Sequence, residues 1–124
     1  MNDAKELAAA FVDRLDRRDW EAWAELLAPE IVYEIPQTRE RILGRDRYLQ
    51  FNQEYPGDWH IEPQVVAGDD RDAAVLFRWT VDDDHPALAI AFFEAVEGRI
   101  VKVTDFWPEP YDPPLGREHL VERW

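Results

Sequence analysis

Chemistry can be read most directly from Asp105. It lies in "KVTDFWPEP", residues 102 to 110, the end of a strand pattern running into a proline-broken tail. Successive strand residues point to opposite faces. Val101, Val103, Asp105 and Trp107 therefore share one face, and Lys102, Thr104 and Phe106 share the other. A single carboxyl thus sits on the more apolar face. Apolar surroundings disfavour its charged form and lift its pKa toward neutrality, the range most useful for general acid/base work. Structural roles are open to the same residue. It can pair with Arg78 or a lysine, accept a hydrogen bond from a tryptophan or tyrosine, or face outward at a bulge.

Other groups that handle protons are few. His60 begins a strand beside Trp59, where it can serve as acid/base partner, as a donor that orients a ligand, or as a surface residue. Tyr33 lies between Ile31 and Ile35 on an alternating face, either lining a cavity with its hydroxyl or packing in the core. Glu34 points the other way. Arg78 interrupts the apolar set Val75, Phe77, Trp79 and Val81, and that alternation turns it outward. The run "DDDH", residues 82 to 85, reads as a solvated turn, since no metal-ligand spacing links it to other histidines. Neither a metal nor a cofactor is expected. With no cysteine there is no thiol nucleophile, zinc-thiolate site or disulfide.

The elements that must position these groups follow from periodicity. Residues 3 to 18 read as a helix, with Leu7, Phe11 and Leu15 on one stripe, widened by Ala8 and Val12; Asn2 or Asp3 can cap it. Asp19 caps a second helix, "WEAWAELL", which ends before Pro29. "IVYEI" is a short strand and "TRERILG" a second one ending at Gly44. "RDRYLQFNQEY" is a third helix, with Tyr48, Phe51, Asn52 and Tyr55 toward one side. The remainder is β: "HIEPQVVA", "AAVLFRWTV", "LAIAFFEAV" and "IVKVTDFW", joined by short polar turns as an antiparallel meander. Three helices against such a sheet make an α+β architecture. The tail, residues 108 to 124, has four prolines and is expected to run extended, then turn helical from Arg117. Its Leu115, Leu120, Val121 and Trp124 suggest docking, on its own core or on a partner subunit.

Composition narrows the partners. The 124 residues suffice for one domain, expected to span 1–124 with its core at about 4–107. Six tryptophans, six phenylalanines and four tyrosines imply broad aromatic walls. A net charge of -13 argues against nucleic acid and anionic membranes, which require positive charge. The opening stretch "MNDAKELAAAFVDRLDRRD" has no long apolar run, so the expected compartment is the cytoplasm.

Element order and several stretches resemble the nuclear transport factor 2-like superfamily, and within it the SnoaL-like, polyketide cyclase-like branch. "DRLDRRDWEAWAELLAPEIVYEIP", "GRDRYLQF" and "EGRIVKVTDFW" carry the likeness, across about residues 4 to 107. The resemblance implies a cone: a curved sheet wrapped around three helices, leaving an apolar cavity open at one end. It further implies a hydrophobic small molecule as ligand and a homodimer formed through the outer sheet face. Leu88, Ile90 and Phe92 suit that role, because both faces of their strand are apolar. Trp23, Trp79, Phe93, Val103 and Trp107 are then the expected cavity walls, with Tyr33 beside them.

Three chemistries hosted by this fold can be compared position by position. Ketosteroid isomerases carry an oxyanion-donating tyrosine, a general-base aspartate and a second acid where this chain has Phe11, Ile35 and Ala89. Those apolar residues would line the cavity without moving a proton, so that activity is expected to be absent. The resemblance to limonene-epoxide-hydrolase-like enzymes puts Asp105 at a water-activating base and Arg78 at an inward-facing arginine. Thr80 stands at their second aspartate, so the acid that helps protonate the epoxide is missing. SnoaL-like cyclases are similar in using a final-strand carboxyl as general acid/base, a role that fits Asp105. The expected function is acid/base catalysis without a cofactor on a hydrophobic cyclic metabolite, through Asp105 assisted by His60 or Arg78. A non-catalytic ligand binder and a dimeric interaction domain are the alternatives.

Overall fold

The computed structural model describes residues 3–82 and 84–124. Asn2, an alternative cap for the first helix, and Asp83 of the "DDDH" turn lie outside the described residues. Helix α1 spans Ala4–Asp16 and α2 spans Trp20–Glu25; strand β1 is Leu27–Ile35 and β2 is Glu40–Leu43. Helix α3 is Arg45–Glu54, followed by β3 (Trp59–Gly68), β4 (Asp72–Val81), β5 (Ala87–Val96) and β6 (Arg99–Phe106).

The helices start where their caps allow. The Asp3 carboxylate accepts the Glu6 amide at 2.7 Å, satisfying one of the free first-turn donors of α1. Asp19 does the same for α2 through Ala22. The predicted stripe of α1 is buried: Leu7, Phe11 and Leu15 together with Ala4, Ala8 and Val12. Helix α2 stops sooner than its apolar pattern suggests. Leu26 leaves the helix, its carbonyl accepts the Ile100 amide at 2.8 Å, and Leu27 already pairs with β6. Strand β1 therefore starts four residues before the expected Ile31, across a register shift that contains Pro29. Proline has no amide to offer the ladder, so it sits where pairing lapses.

The six strands form one curved, unclosed sheet in the order β2-β1-β6-β5-β4-β3. The meander from β3 to β6 is antiparallel, as the short polar turns require. The exception to an all-antiparallel sheet is the β1–β6 pair, which is parallel. It joins the first strand to the last, an arrangement that local turns do not specify.

A second register shift, between Glu94 and Ala95, alters the expected face of β6. Val103 and Asp105 point inward opposite Phe93 and Ala91, as alternation predicts. Past the bulge Ile100 takes the core position, and Val101 is only partly buried. The tail also departs from expectation. No helix forms from Arg117; Leu120 and Arg117 close a single turn instead, and Leu115, Leu120 and Trp124 are exposed. The prolines hold the preceding chain extended and lead it off the core.

Candidate functional site

A cavity of about 700 Å³ opens between the inner face of the sheet and helices α1 and α3. The predicted face of α3 supplies one wall, with Tyr48, Phe51, Asn52 and Tyr55 all lining the space. Phe11 and Phe93 meet edge to face at 5.0 Å on the apolar side. Gln37, Thr38, Glu40 and Glu109 line it from the β1–β2 turn, the start of β2 and the tail.

Asp105 lines this cavity and is 9% exposed, the one buried charged residue among the described residues. The Tyr33 hydroxyl donates to its Oδ2 at 2.5 Å. Parallel pairing of β1 with β6 makes this contact, since Tyr33 lies beside Val103, two residues from Asp105 on the same face. Burial pushes the Asp105 carboxyl up to about 7, against a smaller lowering by the Tyr33 hydrogen bond. Burial and then the Asp105 charge push the Tyr33 phenol far up, so it stays protonated as a donor. Tyr48 stacks on Tyr33 at 4.4 Å between centroids, and burial with the Asp105 charge raises its phenol as well. One carboxyl that can gain or lose a proton near neutrality thus faces two phenols that cannot ionise there.

Tyr33, Ile35, Trp79, Phe93, Trp107 and Phe11 line the cavity, as the sequence suggests. Three other expected wall residues do not. Trp23 is fully buried behind the cavity wall, packed on Phe11 at 5.3 Å and Tyr48 at 5.2 Å, because short α2 wedges against α1 and α3. Ala89 and Val103 are on the inner face but completely covered by core side chains. Two expected assistants also fall outside. Arg78 is exposed on the outer face, paired in register with Glu62 and Leu88, so the alternation of β4 prevails over the hydrolase resemblance. His60 points outward from β3, with Nδ1 at 3.4 Å from Asp16 and Nε2 at 3.3 Å from Asp58.

Sequence reading missed Gln37. Its side-chain amide donates to the Trp107 carbonyl at 2.6 Å and its oxygen accepts the Trp107 amide. That clamp fixes the Trp107 wall, and nothing in the local pattern signals it. Among the described residues, no cluster of acidic or histidine side chains has metal-ligating geometry, and no helix is long and apolar enough to cross a membrane.

The SnoaL-like domain family model matches residues 8–103. The chain belongs to this family, within the nuclear transport factor 2-like superfamily. Among solved structures, it resembles one from Kribbella flavida named "putative ketosteroid isomerase", with 50% identity over 97% of this chain and 88% of that one, TM-score 0.93. A nuclear transport factor 2-like protein of unknown function from Burkholderia xenovorans is 22% identical over 96% of this chain and 93% of that one, TM-score 0.80. A protein named "putative polyketide cyclase" from Xanthomonas campestris is 21% identical over 87% of this chain and 93% of that one, TM-score 0.69. The last two show the fold alone. No curated protein matches the chain in sequence.

The Kribbella flavida relative overturns the expectation that isomerase chemistry is absent. That expectation rested on three apolar positions, Phe11, Ile35 and Ala89. The same cavity receives a carboxyl and phenols from other elements: Asp105 on β6, Tyr33 on β1 and Tyr48 on α3.

Proposed function

We propose that this protein is a cofactor-independent acid/base catalyst acting on a hydrophobic cyclic small molecule. Ionised Asp105 takes a proton from a carbon next to a carbonyl. The electron pair of that C–H bond forms a C=C bond and the carbonyl π pair moves onto oxygen, where the Tyr48 phenol stabilises the oxyanion by hydrogen bonding, the Tyr33 hydroxyl being held by Asp105. Asp105 then returns the proton at another carbon, which is isomerisation. Alternatively the enolate carbon bonds to a second carbonyl of the same molecule, whose π pair moves onto its oxygen and takes the proton from Asp105, which is cyclisation. Both need a shaped apolar pocket and one proton carrier. The observation that carries this reading is a carboxyl buried in a cavity with its pKa at about 7 and a phenol at 2.5 Å. A volume of about 700 Å³ is within the range that takes a multi-ring organic molecule.

The test uses enolisable cyclic ketones in heavy water, tetralone and an unconjugated ketosteroid, the latter suggested by the Kribbella flavida relative's name. The protein should accelerate exchange of the α-hydrogens or conjugation of the enone. Asp105→Asn should keep the fold and lower the rate about 100-fold or more. Equal rates for that variant would sink the proposal.

We also propose a homodimer formed through the outer sheet face. Leu88, Phe92 and Phe106 are 52%, 47% and 38% exposed there, and Phe92 and Phe106 meet edge to face at 5.8 Å.

A further inference from the structure

The charge character of the cavity is one-sided. Among the described residues, it is lined by three carboxyl side chains, Glu40, Asp105 and Glu109, and by no lysine, arginine or histidine. The whole chain carries -13, so the long-range potential has the same sign. Asp105 is buried with only the Tyr33 hydroxyl as partner, and no cationic side chain supplies its countercharge. A buried carboxyl normally meets a cation or keeps its proton. Arg78 and His60, which sequence alone could have supplied here, face away from the cavity.

The second observation is aromatic. Tyr55 stands at 84° to Trp79, Trp79 at 80° to Trp107, and Trp107 at 82° to Phe77, with centroid separations of 5.4–5.5 Å. All four line the cavity. Successive rings are nearly perpendicular, so their planes are turned in different directions around the space. Aromatic faces attract a cation, most strongly once it is desolvated. The chain already uses an indole this way: the Arg18 guanidinium lies 3.4 Å over Trp59, which stacks on Trp79 at 5.2 Å.

We infer that the cavity selects a hydrophobic molecule bearing a protonated amine, held by the Tyr55–Trp79–Trp107 rings with Asp105, Glu40 and Glu109 as countercharges. Anionic ligands such as carboxylates and phosphate esters are rejected, because no group in the lining would neutralise them. The inference rests on the small-molecule reading above and narrows it to a charge class.

Three probes with one ring system separate the two: naphthylmethylamine, naphthylmethanol and naphthoate, titrated by calorimetry at neutral pH. The amine should bind about tenfold tighter than the alcohol, a difference of about 1.4 kcal/mol, and naphthoate weakest. Replacing the exposed pair, Glu40→Gln with Glu109→Gln, or replacing Trp107→Leu, should narrow the gap between amine and alcohol. If the alcohol or naphthoate binds as tightly as the amine, the charge selection is wrong and the apolar cavity reading stands. If none of the three binds, the small-molecule reading fails together with it.

Discussion

At the scale of single residues, the proton on Asp105 links stability to pH. Its carboxyl lies near 7 in the folded protein against an ordinary value of 3.8. Between those values the folded chain holds a proton that the unfolded chain releases. The contribution is therefore fully present below about 4 and is lost as pH rises through about 7. Asp105→Asn has no such proton to lose. Urea denaturation should find it more stable than the parent above neutrality, with the gap closing at acidic pH. The gain is at most about 1.4 kcal/mol for each tenfold difference in acidity between the folded and unfolded chains. Catalysis has the opposite sense, because the base must be ionised: kcat/KM should rise with pH and level off above about 7. Tyr33→Phe removes the hydrogen bond that lowers the Asp105 pKa, so the rising limb should move to higher pH. A purely structural role for Tyr33 would change the amplitude and leave that limb in place.

At the scale of elements, the site depends on how the turn after β1 meets the end of β6. Gln37 is the fastener, bonding both the amide and the carbonyl of Trp107. These are solvent-accessible hydrogen bonds, each contributing about 1 kcal/mol. Gln37→Ala should cost about 1–2 kcal/mol in denaturant unfolding. It should also loosen Trp107 enough to weaken ligand binding with little effect on the proton-transfer step. A rise in KM with kcat unchanged is the expected signature. Another joint shows why His60 left the site. The Asp16 carboxylate at the end of α1 accepts the Ile61 amide at 3.0 Å, tying helix to strand in a register that turns Ile61 inward and His60 outward.

At the scale of the whole molecule, the inner sheet face is occupied by helices and cavity, while Leu88, Phe92 and Phe106 stay exposed on the outer face. Lys102, Glu34 and Arg41 form ion pairs on that side of β6, β1 and β2, at 3.1 Å and 2.6 Å. Exposed pairs of this kind contribute little stability. The apolar surface around Phe92 and Phe106 is what a second copy would cover. Light scattering should give the mass of a dimer, and Phe92→Glu should give a monomer with its helix and sheet content unchanged. A monomeric parent protein would remove the dimer proposal.

Sequence by itself determined the element types and most of the inward-facing set. Helical spacing at Leu7, Phe11 and Leu15, and alternation around Val75, Phe77 and Trp79, are local signals written in side-chain chemistry. They placed Asp105 on an apolar face before any contact was known. The tertiary structure decided what that carboxyl meets. The Tyr33 contact arises from a parallel pairing between the first strand and the last, separated by 72 residues, and no local pattern encodes it. The fates of Trp23, Ala89 and Val103 were equally non-local. Each is apolar and inward, and only packing from other elements determines which inward residues reach the cavity and which are sealed beneath it. The bulge near Ala95 resets the face of β6, because one extra residue reverses every side chain beyond it.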